Sequence, residues 1–258
     1  MATERAEDVR TEAKPPNDKF VRPTGSWGTE SAFSDAEFSE RVANYHWRFD
    51  ADAYENVYVV GDVHGCLSEL RTLWDRLDPT HDEMVVFVGD LIRKGPASTG
   101  VVEFVDDQPN AVSVRGNNEA KVLNGSVDPE AFEPAVESIE SMPLVVSWGD
   151  SMAVHGGVDT RRDLSDQTPT DLLESRAIPP ENGYDGPFWF EQYDGPGRIF
   201  FGHTVVESPF ISDGAIGLDT GLVYGGELTA YDCKAETLVS VSAERTYQKR
   251  PAEKFLSF

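Results

Sequence analysis

Lysine and cysteine are both scarce in this chain, and no apolar run in it is long. Of 22 basic residues only 7 are lysine, against 46 acidic ones; the formal charge is −24 over 258 residues. Such a surface repels phosphate backbones at long range and argues against nucleic-acid polymers as partners. Two cysteines, Cys66 and Cys233, are too few for a disulfide framework. No stretch approaches the roughly 20 apolar residues that span a bilayer. Residues 1–22 carry charge and proline without an apolar secretion core. No Walker-type phosphate loop is present. These absences lead to the expectation of a cytoplasmic protein with no membrane partner. Its acidic, lysine-poor surface suits concentrated salt, where self-repulsion is screened, so a halophilic setting is expected.

Hydrophobic residues make up 39% of the chain, enough for one sizeable α/β core. Residues 1–30 are polar and read as a mobile leader. Within residues 31–50, Ser34-Asp35 would cap a short packing helix with Phe38, Val42 and Tyr45 on one face. A single domain is expected over residues 51–258. From Val57 the pattern repeats strand, polar loop, helix: Val57–Val60, Met84–Val88 and Ala111–Val114 read as buried strands. Between them lie a helix with Leu67, Leu70, Leu73, Trp74 and Leu77 on one face and a second around Val101–Val105. This is the pattern of a mostly parallel sheet, in which ligands bind at the carboxyl ends of the strands. The later part predicts hairpins over Leu144–Val154 and Leu228–Val241, with strands Ile199–Phe201 and Ala215–Leu218 between them. Two sheets packed face to face with helices outside accommodate this order.

The chemistry sits where those strands end. Five strand ends carry metal-type ligands: Asp62 with His64, then Asp90, Asn117, His155 and His203. On an extended segment Asp62 and His64 would share a face. The intervals Asp62–Asp90 and Asp90–Asn117 are each about one βα unit, so successive loops reach the same rim. A set of carboxylates, imidazoles and an amide suits Mn²⁺, Fe²⁺ or Zn²⁺. Two ions about 3.5–4 Å apart can share a hydroxide and clamp phosphoryl oxygens, with Asp90 as the natural bridging carboxylate. A lone Gly-Asp is usually a turn and a lone His usually structural; His46 and His81 lie outside the pattern and take that ordinary reading.

The successive segments G-D-V-H-G (61–65), G-D-L-I-R-K-G (89–95), R-G-N-N-E (115–119), V-H-G-G (154–157) and F-G-H-T (201–204) resemble the signatures of the phosphoprotein phosphatase family of calcineurin-like metallophosphoesterases. The segments G-L-D-T-G (217–221) and V-Y-G-G-E-L-T-A (223–230) are similar to its prokaryotic branch of serine/threonine phosphatases and symmetrical diadenosine tetraphosphatases. The resemblance implies an α/β fold, a metallophosphoesterase β-sandwich with flanking helices, with a dinuclear metal site at the strand ends. It implies that Asp62, His64 and Asp90 hold one ion and that Asp90, Asn117, His155 and His203 hold the other, with Mn²⁺ preferred. Asp219 either orients a ligand imidazole from behind or serves a turn. Arg115 is a further candidate for a supporting role.

Two positions depart from the family pattern. Asn118 stands where the family's general-acid His is usual, and Arg93 stands where its supporting Asp is usual; Lys94 replaces a phosphate-gripping Arg. Arg93, Lys94 and Asn118 are therefore the candidate substrate contacts, with Arg161 and Arg162 as further cations whose default is surface ion pairing. Without a positioned acid, worth about 10²–10⁴-fold, good leaving groups are favoured. Phosphoanhydrides such as dinucleoside polyphosphates, or aryl phosphates, should exceed phosphoserine. A phosphorylated small molecule, dinucleotide or phosphoprotein is the expected partner; a non-catalytic metal- or phosphate-binding regulator is the alternative. Phe188, Trp189, Phe190 and Tyr193 fit either a base-stacking surface or the cap of a core, the core being preferred.

Overall fold

Side chains alternate across the strands, and that alternation builds three apolar layers. In a computed structural model, which describes Phe33 and residues 38–258, helix α1 (Glu40–Ala43) leads into strand β1 (His46–Arg48). The first half continues β2 (Asn56–Val60), α2 (Leu67–Leu77), β3 (Glu83–Phe87), α3 (Ser98–Asp106), β4 (Ala111–Ser113) and α4 (Asn117–Leu123). After α5 (Val136–Ser141) come β5 (Val145–Trp148), β6 (Ser151–Ala153), α6 (Pro169–Glu174), α7 (Trp189–Gln192) and β7 (Arg198–Phe201). The chain closes with β8 (Phe210–Ile211), β9 (Ala215–Gly217), β10 (Glu227–Asp232) and β11 (Thr237–Ser242).

One sheet runs in the order β11-β10-β2-β3-β4 and the other β1-β5-β6-β7-β9-β8. Strands β2, β3 and β4 are parallel, as the strand–helix repeat requires, with Val59 opposite Val86 and Val86 opposite Val112. Val57, Val59, Met84 and Val86 face inward and meet Val146, Trp148, Phe200 and Ile216 of the other sheet. The alternate residues Val60, Val85 and Phe87 face outward under Leu70, Leu73, Val101 and Val102 of α2 and α3. On the second sheet the outward set, Val145, Met152, Ile199 and Phe201, is covered by Phe33, Val42, Leu172 and Trp189. Each fully buried side chain of this size contributes about 1.5–3 kcal/mol, so both sheets are held on two faces.

The expected hairpins are present: β5–β6 and β10–β11 pair antiparallel. Phe188, Trp189 and Phe190 are buried in the outer layer, so three of the four aromatic candidates belong to the core. Both cysteines are free, and burial pushes each thiol up to about 12. The packing helix is shorter than its periodicity predicts: it starts at Glu40 and ends at Ala43, and Tyr45 precedes a strand instead. His46–Arg48 pair in parallel with Val145–Ser147, so this segment belongs to the second sheet and is not an appendage. The expected leader over residues 1–30 and the Ser34-Asp35 cap lie outside the described residues. Among the described residues no helix is long and apolar enough to cross a membrane.

Candidate metal centre

The carboxyl ends of β2, β3, β4 and β7, with the exit from β6, converge on one rim, and the backbone is strained there. Among the described residues seven non-glycine positions have positive φ; five of them are His64, Asp90, Arg93, Lys94 and His203. Such conformations cost about 1–3 kcal/mol each and persist where the surroundings enforce them. The turn at His64 (φ 51°) corrects the expectation that Asp62 and His64 meet along an extended strand. They converge because the chain kinks. Glycine is obligatory beside them: a Cβ on Gly202 would fall on Asp62 Oδ1, and one on Gly116 would fall on the Asp90 backbone and carboxylate.

Asp62, Asp90 and His155 each present a ligand atom within 4.8 Å of the other two. His155 Nε2 lies 3.4 Å from Asp90 Oδ1, and His64 Nε2 lies 3.7 Å from Asp62 Oδ2 and 3.6 Å from Asp90 Oδ2. The imidazoles are oriented by backbone oxygens: His155 Nδ1 donates to Val88 O at 2.8 Å, and His64 Nδ1 reaches Ile92 O at 3.3 Å. That arrangement turns each Nε2 lone pair toward the carboxylates. His203 stacks edge-on against His155 with ring centroids 5.1 Å apart, and its backbone N–H donates to Asp62 Oδ1 at 3.2 Å. Asn117 opens α4, and its Oδ1 accepts from Asn118 Nδ2 at 3.1 Å.

The electrostatics favour a cation at this point. Burial, with Asp219 and Asp90 close by, holds the Asp62 carboxyl well above its ordinary range. Burial also pushes Asp90 up, but His155, His64 and Lys94 outweigh it and hold Asp90 below the usual range. Burial and Lys94 push His64 down to about 3, and burial with Arg176 pushes His203 well down. Two dry carboxylates converge here with His64 and His203 held neutral beside them and Lys94 as the neighbouring cation, and His155 Nε2 is buried without a hydrogen-bond partner. The residues present fit a divalent cation on both counts.

Glu119 is the support that motif reading left without a role. It is fully buried and accepts from the backbone N–H groups of Asp90 (3.0 Å), Ile92 (3.1 Å) and Gly116 (2.8 Å), tying two strand-end loops together. Burial, with Asp90 adding, pushes its carboxyl up to about 7. Asn118 is clamped in turn: its N–H donates to Asp90 Oδ1 at 2.9 Å, its side-chain amide donates to Asp90 Oδ2, and its Oδ1 accepts from Arg93 Nη1 at 2.6 Å. Lys94 Nζ lies 2.7 Å from His64 Nε2, so Arg93, Lys94 and Asn118 all stand at the rim.

Other candidates lie elsewhere. Arg115 Nη2 donates to Glu140 O and Met142 O at the end of α5, and its guanidinium lies 4.9 Å over Tyr45; it supports packing rather than the site. Asp219 accepts from Gly221 N–H at 3.1 Å, the turn role, and no hydrogen bond from it to an imidazole is seen among the described residues. Arg161 and Arg162 pair with Asp159, and Arg162 also with Asp171. His46 is a buried core residue bonded to Ser147 Oγ at 2.7 Å. Arg176, from the irregular stretch after α6, was missed: its Nη2 donates to His203 Nε2 at 2.7 Å.

Residues 55–207 match the family described as calcineurin-like phosphoesterases, and the chain belongs to that family. It is thus a metal-dependent hydrolase of phosphate esters or phosphoanhydrides, built as two sheets flanked by helices. Among curated proteins it is similar to the asymmetrical bis(5'-nucleosyl)-tetraphosphatase PrpE of Bacillus velezensis, 30% identical over 73% of this chain and 93% of the relative. The namesake of Anoxybacillus flavithermus is also 30% identical, over 78% and 98% of the two chains. Among solved structures, one provisionally assigned as a diadenosine tetraphosphatase superposes with a TM-score of 0.66 at 28% identity, covering 76% of this chain and 96% of its own. A serine/threonine phosphatase from Saccharomyces cerevisiae, with a TM-score of 0.54, 15% identity and coverage of 80% and 84%, shares the fold.

Proposed function

We propose that this chain hydrolyses phosphoanhydrides of the dinucleoside tetraphosphate type in preference to phosphoserine. Asp62, His64 and Asp90 would hold one divalent ion, and Asp90, Asn117, His155 and His203 a second, Mn²⁺ being preferred over Fe or Zn. When bound, the ions supply an activated water and neutralise charge developing on the phosphoryl group. That Asp90 lies 3.6 Å from His64 and 3.4 Å from His155 supports its serving both. Lys94 and Arg93 offer point-charge and bidentate contacts to phosphate oxygens respectively.

The observation that carries the substrate preference is the Arg93–Asn118 contact. An amide and a guanidinium now meet where the family places an acid and its support, and neither releases a proton near neutral pH. An alkoxide leaving group is left without a donor, whereas a departing phosphate of a phosphoanhydride has little need of one. The names of the curated relatives point to the same class, and to asymmetrical cleavage where the motif resemblance pointed to symmetrical. A cytoplasm of high salt fits the charge of −24.

The test is Mn²⁺-dependent turnover in concentrated KCl of diadenosine tetraphosphate, an aryl phosphate and a phosphoserine peptide. Tetraphosphate and aryl phosphate should exceed the peptide by about 10²-fold, and chromatography of the nucleotide products separates ATP plus AMP from two ADP. Equal rates on the phosphoserine peptide would sink the preference. A folded, metal-loaded protein without turnover on any of the three would favour the non-catalytic regulator.

A further inference from the structure

The chain is strongly acidic, yet three cations converge on one side of the metal centre. None of the ion pairs among the described residues involves Lys94, Arg176 or Arg250. Lys94, beside His64, stands 5.3 Å over the Tyr224 ring, and Arg176, beside His203, stands 4.4 Å over the Tyr184 ring. Arg250 joins the two arms. Its Nη2 donates to Tyr184 Oη at 2.9 Å and its Nη1 to Tyr224 Oη at 3.3 Å. Its guanidinium lies 5.6 Å and 4.9 Å from the centroids of those rings. Nε donates to Lys254 O at 3.2 Å. A guanidinium has five N–H groups; three are used in these bonds, and the others remain for a ligand.

We propose that Arg250, locked by Tyr184 and Tyr224 between Lys94 and Arg176, extends the cations of the metal centre into a subsite for the polyphosphate chain beyond the scissile bond, and that this subsite reads the number of phosphates rather than the base. The proposal rests on the phosphoanhydride reading above. Three cations strung from His64 to His203 by way of Arg250 exceed what a single phosphoryl group requires. They suit an anion carrying several phosphates. The tyrosines are poor base platforms because each already carries cations over its ring. Tyr184 holds Arg176 and Arg250; Tyr224 holds Lys94 and Arg250. A stacking base would have to compete with them. Arg250 is a specificity residue supplied by the segment after β11, which also pairs back beside His203 through Leu256 and Val205.

The test uses the full chain with Mn²⁺, as wild type, Arg250→Gln and Arg250→Lys. Binding of inorganic tripolyphosphate is read by calorimetry, and kcat/KM is compared between diadenosine tetraphosphate and p-nitrophenyl phosphate. Losing a charge-assisted contact should weaken tripolyphosphate binding by about 10-fold or more and lower the tetraphosphate-to-aryl ratio by a similar factor, mainly through KM. Arg250→Lys, which keeps the charge, should recover part of both. Wild-type rates on diadenosine and diguanosine tetraphosphate should agree within a few-fold. Unchanged tripolyphosphate binding in a folded Arg250→Gln protein overturns the subsite, and a large preference for one base overturns the phosphate-counting reading. Failure of the parent reading shows differently, as phosphoserine turnover matching the tetraphosphate in wild type.

Discussion

The two sheets contribute to the site in different ways. The β2–β3–β4 half delivers Asp62, His64, Asp90 and Asn117 from consecutive loops of one parallel repeat, cross-tied by Glu119. The other half delivers His155 and His203 from adjacent strands, together with Arg176 and Tyr184 from a stretch with little regular structure. Under the proposed function the first half is a rigid frame for the ions and carries Arg93, Lys94 and Asn118 at its edge; the second would complete the ion site and add Arg176 and Tyr184 to the rim where substrate is chosen. A frame of this kind tolerates little change, whereas a rim can be altered with the hydrolytic chemistry kept.

The sharpest way to test the division is to break the frame at its centre. Asp90→Asn removes the carboxylate that lies 3.6 Å from His64 and 3.4 Å from His155. Turnover on every substrate should fall by at least about 10²-fold, more than the 10–100-fold typical of a ligand's supporting residue. Thermal unfolding shows whether the fold survives; a substrate-selective loss would place Asp90 in the rim instead. Next comes the tie between loops. Glu119→Gln puts an N–H where a backbone N–H now donates, against Asp90, Gly116 or Ile92. A loss of about 10–100-fold in activity, common to all substrates, is expected, with Mn²⁺ titration showing weaker metal affinity. Full activity at unchanged metal affinity would remove Glu119 from the frame.

The rim should answer differently. Replacing Arg93 with Asp and Asn118 with His together restores an acid and its support where the Arg93–Asn118 contact now lies. Phosphoserine turnover should rise relative to aryl phosphate by about 10-fold, short of the 10²–10⁴ of an evolved acid. Rates on the two substrates that move in parallel would show that leaving-group protonation is not what the rim lacks.

This division also decides what could be read from sequence. The frame was legible because each candidate ligand sits beside glycine at the end of an apolar strand, and apolar alternation marks the strands themselves. Gly202, which must leave room for Asp62, is visible beside His203 for that physical reason. The rim was legible only in part: Arg93, Lys94 and Asn118 lie inside the ligand-bearing motifs, but the rest does not. Tyr184, Tyr224 and Arg250 are far apart in sequence, have no periodicity, and meet only through tertiary folding. Arg115 misled because it follows β4 within the third motif, yet its side chain turns back to α5. Strand β1 was obscured by length: three residues, His46–Arg48, are too few to show alternation, and all three are buried.

That short strand gives the smallest effect and the cleanest control, because it lies in the second sheet away from both frame and rim. His46 is buried against Ser147 Oγ and edge-on to Phe38 at 5.1 Å, and burial, with Arg48 adding, pushes its pKa down to about 3. In the unfolded chain an imidazole titrates near about 6.5. Between those values the unfolded state binds the proton and the native state does not, so stability falls as pH drops. The contribution of His46 is complete above about pH 6.5 and is lost progressively toward pH 3, at up to about 1.4 kcal/mol per unit. His46→Gln has no such proton to shed. Its denaturant midpoint should depend less steeply on pH between about 6 and 4 than that of wild type, while kcat/KM at neutral pH stays the same. An equally steep acid dependence in the variant would assign the acid sensitivity to the other buried imidazoles, His64 and His203, which burial also pushes down, and a change in kcat/KM would mean that the edge of the second sheet is coupled to the metal centre after all.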